Sequence, residues 1–199
     1  AQREVAPGAQ ERDITEQFPM ELVKKLGEEG LIGLQFSKEY GGHDIDYLSF
    51  ILVVEELCKA DSAFGIAYAI SSTFTTGIDL FANKGQKMHC MPRLFAGDAI
   101  GCFALTEPNA GSDAGSAKTT AIRKGDEYII NGTKCFITNG AIADYCMLIA
   151  NTSPEKGAKG LSAFLVDLKT TPGVRIGHIE NKCGIHCAKV AELIFEDCH

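Results

Sequence analysis

The stretch Phe103-Ala104-Leu105-Thr106-Glu107-Pro108-Asn109-Ala110-Gly111-Ser112-Asp113 changes character halfway. Phe103 and Leu105 alternate with Ala104 and Thr106, a period of two that suits a half-buried strand. Pro108 stops the ladder, because it has no N–H to donate and pushes the residue before it toward extended geometry. Asn109 to Asp113 are small, polar and tolerant of positive φ. A strand that runs into such a loop presents backbone N–H groups and a hydroxyl to an approaching anion, above all a phosphate. By pattern alone, the same residues also make an ordinary turn.

The two halves of the chain on either side have different periods. Up to about residue 97 the pattern is helical. Ala1 to Arg12, interrupted by Pro7 and Gly8, reads as the end of a helix whose beginning is absent. Pro19 suits a first helical position, Leu22, Val23 and Leu26 share the next face, and Gly30 is placed to end it. Leu31 to Ile45 reads as a loop with a sharp reversal at Tyr40-Gly41-Gly42. Asp46 is placed to cap a helix with a core stripe of Phe50, Ile51, Val54, Leu57 and Cys58. Asp61 or Ser62 caps a third helix to about Ala82, small or apolar on nearly every face. Its hydroxyls from Ser71 to Thr76 are spaced to bond carbonyls one turn back. Gln86 to Ala96 makes a short last helix, kinked or restarted at Pro92, and Gly97-Asp98 is the turn where composition shifts.

From Ala99 onward the period is two. Lys118 to Lys124 and Glu127 to Ile130 flank a Gly125-Asp126 hairpin turn, with Lys124 opposite Glu127. Asn131-Gly132 reads as a second hairpin turn that returns the chain into Thr133 to Thr138. Tyr145 to Ala150, Leu161 to Leu168, Val174 to Ile179 and Ala188 to Glu196 complete the strands. Such spacing points to a meander closing into a small barrel or sandwich. The fold class is therefore α+β. An all-helical N-terminal domain over residues 1–97 precedes a small antiparallel β-barrel or sandwich over residues 98–199.

With 199 residues and 45% hydrophobic content, the chain can bury a sizeable core. A formal net charge of −7 gives no general attraction to nucleic acid or anionic lipid, leaving only local basic patches for a phosphorylated ligand. No apolar run approaches a membrane span and no signal-peptide pattern is present, so the expected location is cytoplasm or organelle matrix. Cys58, Cys90, Cys102, Cys135, Cys146, Cys183, Cys187 and Cys198 show no paired framework and read as reduced thiols packed as small hydrophobes. Cys183, His186, Cys187, Cys198 and His199 are zinc-type donors. The strand pattern between Ala188 and Asp197 carries them apart, and no metal is assigned.

A second stretch, Asn131-Gly132-Thr133-Lys134-Cys135-Phe136-Ile137-Thr138-Asn139-Gly140, joins the first. Together they resemble the signature of the acyl-CoA dehydrogenase family. That signature is a Thr-Glu-Pro-x-Ala-Gly-Ser-Asp loop and an Asn-Gly-x-Lys-x-(Trp/Phe)-Ile-Thr-Asn strand, at the spacing seen here. Phe18-Pro19 with Glu21-Leu22, Glu39-Tyr40-Gly41-Gly42, and Ala191-Glu192-Leu193 running into Phe195-Glu196-Asp197 extend the resemblance over essentially the whole chain. Asn109 looks more like the short-chain, butyryl-CoA-type bacterial members.

The resemblance implies an N-terminal helical domain, a middle β-domain and a C-terminal four-helix domain. FAD would lie between the last two, with an acyl-CoA thioester against its flavin. Phe103, Leu105 and Thr106 would lie along the isoalloxazine ring. Phe136, Ile137 and Thr138 would cover another face, with Thr138 near N5. Gly111 and Ser112 would meet phosphates or the CoA pantetheine, Ser112 touching both ligands. The implied reaction is α,β-desaturation. A carboxylate removes the α-proton in a water-excluding pocket while the β-hydrogen leaves as hydride to N5. In most members that base is a Glu of the C-terminal helical domain, which this sequence does not reach. Glu107 has a structural place in the family loop and Glu55 no positional argument, so no catalytic residue is assigned. The chain is expected to be a fragment, inactive alone. An electron-transfer flavoprotein acceptor and a homotetramer are implied for the full-length enzyme. The alternatives are an acyl-CoA oxidase-like flavoenzyme on the same scaffold and a non-catalytic binding module.

Overall fold

The computed structural model describes all residues from Ala1 to His199. Five α-helices come first: α1 (Ala9–Thr15), α2 (Met20–Glu28), α3 (Tyr47–Ala60), α4 (Ser62–Phe81) and α5 (Lys84–Phe95). Side chains settle where they start. Asp46 accepts from Ser49 N at the head of α3, and Asp61 from Ala63 N and Phe64 N at the head of α4. Gly30 ends α2 at φ +66, with Leu31 N donating back to Leu26 O.

Other helix expectations shift. Pro7 opens a single 3-10 turn, Ala6–Gly8, so α1 begins after Gly8 rather than ending near it. Asn83 and Gln86 form a reciprocal capping box that starts α5 at Lys84. On α3, Phe50 and Leu57 are buried as expected. Ile51, one residue round from Phe50, is exposed with Tyr47, Leu48 and Leu52, because α3 presents only one face to α4. In α4 the hydroxyls of Thr73, Thr75 and Thr76 donate to the carbonyls of Ala69, Ser71 and Ser72. Its burial extends to Ile78, while Leu80 and Phe81 are exposed.

Seven strands follow: β1 (Gly101–Ala104), β2 (Thr120–Lys124), β3 (Glu127–Thr138), β4 (Tyr145–Asn151), β5 (Leu161–Asp167), β6 (Val174–Ile179) and β7 (Val190–Cys198). They form one sheet that curls into a half-barrel. Tyr128 of β3 meets Phe164 of β5 edge-on at 5.1 Å across the curl. The sheet is not a simple meander. β1 and β2 both run parallel to the same edge of β4, through Gly101↔Tyr145 and Thr120↔Asn151. The remaining pairs are antiparallel: β2 with β3, β3 with β7, β7 with β6, and β5 on the other edge of β4.

The Gly125-Asp126 turn is present, with Lys124 opposite Glu127. The second expected hairpin is not. β3 continues straight through Asn131-Gly132, and its register against β7 slips between Ile130 and Gly132, a bulge. Asn131 Nδ2 donates to Asp197 and its Oδ1 accepts from Asp197 N, so the pair is spent on the neighbouring strand. Gly132 sits at φ +155, and a Cβ there would collide with the Thr119 side chain.

Phe64, Tyr68, Ile100, Cys102, Ala104, Ile137, Cys146 and Leu148 belong to one core cluster that joins α4 to the sheet. Six cysteines are buried, Cys90, Cys102, Cys135, Cys146, Cys187 and Cys198, none of them in a disulfide. They pack as small hydrophobes.

Candidate functional site

The site lies where the chain leaves β1 beside the last residues of β3. Strand pairing with β4 ends at Ala104, earlier than the alternation in sequence suggests. From there β3 takes over. Cys135 N donates to Thr106 O at 2.9 Å, and the Lys134 ammonium donates to Leu105 O at 2.9 Å and Glu107 Oε1 at 2.8 Å. Glu107 also accepts from Lys118 N at 2.6 Å and Thr119 N at 2.9 Å, so one carboxylate fixes both the exit and the return of the loop.

Lys134 is fully buried and Glu107 nearly so. Burial alone raises a carboxylate's pKa, but Lys134 and the two backbone N–H groups outweigh it and hold Glu107 below the ordinary range. The same burial draws the Lys134 ammonium down, against the pull of Glu107. A carboxylate engaged this way is committed to the loop and is not a base for a ligand. Glu55 is exposed on α3 and paired with Lys59 at 2.8 Å.

Glu107 and Ala110 exchange backbone bonds around Pro108-Asn109, at 2.9 and 3.1 Å, making a tight turn with Ala110 buried. Gly111 and Ser112 then lie exposed at the tip, away from β3. The N–H groups of Thr106, Gly111 and Ser112 donate to nothing within the chain. A run of free N–H groups with a hydroxyl is the arrangement that receives phosphate.

The end of β3 is built by a second bulge, between Lys134 and Ile137. It places Phe136 at φ +58 with its side chain 63% exposed. Ile137 turns its side chain into the core, leaving only its backbone for a ligand, and Thr138 is half-buried. Phe103, Leu105 and Thr106 are also half-buried. Thr106 is thus brought beside the Cys135–Thr138 segment, whereas Ser112 and Gly111 remain at the loop tip.

Two organisers were not picked out as such in the sequence. Lys134, a lone lysine in an apolar strand, was a usable signal. The other is Asn139, which turns the chain after β3 at φ +66. Its buried amide also donates to Ala67 O of α4 at 2.9 Å and Gly101 O of β1 at 3.3 Å, stitching three elements together.

The zinc-type donors point to separate places. Cys187 is buried against Ala63 and Ala188, and burial pushes its thiol up to about 11. His186 faces Asp13. Cys198 is in the main core at the other end of β7, and His199 faces Glu127. Within the helical layer, a cavity of about 30 Å³ lined by Phe18, Phe36, Tyr68, Ser72 and Phe95 has room for a water or two.

Residues 1–98 match the N-terminal domain of the acyl-CoA dehydrogenases and residues 102–198 their middle domain. The chain belongs to the acyl-CoA dehydrogenase family, a family of oxidoreductases. It is 46% identical over 198 residues to the short-chain-specific acyl-CoA dehydrogenase of Clostridium acetobutylicum, covering 99% of this chain and 52% of that one. The butyryl-CoA dehydrogenase of Megasphaera elsdenii has the same fold, with a TM-score of 0.93 at 39% identity over 98% of this chain and 52% of that one. So does a glutaryl-CoA dehydrogenase of Mycobacterium smegmatis solved in complex with FADH2, at a TM-score of 0.90 and 33% identity, covering 98% and 49%. The chain spans about half the length of the curated relatives it matches. No helix is long and apolar enough to cross a membrane.

Proposed function

We propose that this chain supplies the helical and β walls of an FAD-dependent dehydrogenase that desaturates short-chain acyl-CoA thioesters between the α and β carbons. The observation that carries this reading is Phe136, an aromatic ring 63% exposed on left-handed backbone. It stands close in the chain to Cys135, which is bonded to Thr106, whose own N–H is free. Such a surface suits a flat ligand with an apolar face and a polar edge. Phe103, Leu105 and Phe136 offer apolar contact. The Thr106 and Thr138 hydroxyls and the Thr106 N–H offer bonds to the edge, and Ile137 offers its backbone. Gly111 and Ser112 offer N–H groups to a phosphate or the pantetheine, with Ser112 shared between cofactor and acyl-CoA.

FAD, when bound, supplies the hydride acceptor. The relative solved with FADH2 supports the cofactor, and the short-chain and butyryl-CoA relatives support the substrate. This chain's own part is binding and orientation. Removal of the α-proton falls to a carboxylate other than Glu107, which is committed to the loop, or Glu55, which is paired with Lys59. An electron-transfer flavoprotein takes the electrons from an enzyme that acts as a homotetramer in cytoplasm or organelle matrix.

Anaerobic titration of the full-length, FAD-loaded protein with butyryl-CoA tests the reading. Bleaching of the visible flavin band is expected. A band that persists through butyryl-CoA and longer acyl-CoAs overturns the desaturation. No band after added FAD overturns the cofactor. Rapid reoxidation of the reduced flavin by oxygen would move the assignment to an oxidase.

A further inference from the structure

The free N–H groups of Thr106, Gly111 and Ser112 differ in what stands behind them. In a trans peptide each N–H points away from the carbonyl of the preceding residue, so a bond to that carbonyl is felt at the N–H. Behind the Thr106 N–H is Leu105 O, which accepts from the Lys134 ammonium at 2.9 Å. Behind the Gly111 N–H is Ala110 O, which accepts an ordinary backbone bond from Glu107 N at 2.9 Å. Behind the Ser112 N–H is Gly111 O, which accepts nothing within the chain.

A donor on the carbonyl draws electron density toward oxygen and leaves the N–H of the same peptide more positive. Hydrogen bonds in series strengthen one another by roughly 10–30% each, and a charged donor acts more strongly than a neutral one. The Thr106 N–H is therefore the most polarised of the three. Lys134 is fully buried and offers no surface to a ligand. Its other acceptor is Glu107 Oε1, at 2.8 Å, and that carboxylate is shared with Lys118 N and Thr119 N. The next residue of β3 holds the same segment still, since Cys135 N donates to Thr106 O.

We infer that Lys134 is a positioning residue that works through the Leu105–Thr106 peptide, making the Thr106 N–H a donor matched to an acceptor that gains negative charge. The inference rests on the flavin reading above and adds a redox role to it. Uptake of two electrons and one proton leaves a flavin with negative charge on its pyrimidine edge. A strengthened donor at that edge holds the reduced form more tightly than the oxidised one and so raises the potential. Gly111 and Ser112, with no ammonium behind them, suit phosphates or pantetheine, whose charge stays constant while the flavin is reduced.

The test is the two-electron potential of FAD bound to the full-length protein, read by anaerobic reductive titration against a reference dye. The parent's flavin is expected to be easier to reduce than free FAD. Lys134→Met with Glu107→Gln removes the ammonium and keeps an acceptor for Lys118 N and Thr119 N. This double variant should still bind oxidised FAD. Its preference for the reduced form should fall roughly threefold to tenfold, a drop of ~15–30 mV in potential. A merely structural role would weaken both redox forms alike, so an unchanged potential in the double variant overturns the inference. A parent flavin no easier to reduce than free FAD also overturns it, and that result decides even if the variant fails to fold. Absence of a flavin band in the parent after added FAD is a separate outcome, which overturns the cofactor reading and this inference with it.

Discussion

The two ends of β3 obey opposite rules. At its start, paired with β2 in unbroken register, Glu127 is exposed and Ile129 and Ile130 are buried. At its end the charged Lys134 is fully buried and the aromatic Phe136 is 63% exposed. Hydrophobic sorting accounts for the first end. The second is set by the clamp on the Thr106–Thr119 loop and by the bulge before Ile137. Leaving a large apolar side chain in water forfeits about 1.5–3 kcal/mol. A buried ion pair gains little over a hydrophobic pair of the same volume. The far end of β3 is thus shaped against stability, as a surface kept for a ligand would be.

Removing one partner of the clamp should have the largest effect. Lys134→Ala leaves Glu107 buried without its counter-charge and should cost about 3–5 kcal/mol in urea unfolding. Lys134→Met with Glu107→Gln, which removes both charges but keeps an acceptor for Lys118 N and Thr119 N, should cost less. A single variant no worse than the double would mean the pair is not the buried clamp described. Next in size, Gly132→Ala forces a Cβ against Thr119 at the bulge between the two ends, and a loss of ~1–3 kcal/mol by thermal unfolding is expected. If it is neutral, the bulge is soft and the two ends are not separately fixed.

The acid limb sharpens the contrast. Glu107 is depressed in the folded state, so its contribution is present above its unfolded pKa and disappears as pH falls through the folded value. Stability measured against pH should therefore show a shallower acid decline in Glu107→Gln than in the parent. An unchanged slope would place the acid-sensitive group elsewhere. Smallest in stability is Phe136→Ser, expected within about 0.5 kcal/mol of the parent. Flavin binding should nevertheless weaken roughly threefold to tenfold, the ~0.5–1.5 kcal/mol of an aromatic contact. Unaltered affinity would remove Phe136 from the site.

What the sequence made legible is local. Asp46 and Asp61 as caps, Gly30 as a terminator and the Gly125-Asp126 turn are each decided within a few residues, and each is where it was expected. The loop and strand signatures carried the family in the same way. What escaped depends on distant partners. Asn131-Gly132 has hairpin chemistry, yet Asp197 on β7 uses the Asn131 amide and holds the strand straight. Glu107 and Lys134 read as a loop acid and a strand lysine, and only the fold makes them a pair. Ile51 and Ile137 have the same hydrophobicity. Which of them is buried follows from how α3 meets α4 and where the bulge in β3 falls.

The placement of β1 and β2 along one edge of β4 makes the residues between them a bubble in a single interrupted strand. Because both ends of the bubble are held, by β4 on one side and by the Glu107 clamp on the other, its tip is insulated from the pairing of the sheet. The tip residues Gly111 and Ser112 therefore answer to a ligand and not to a strand partner, and a change there asks no strand of the sheet to find a new register.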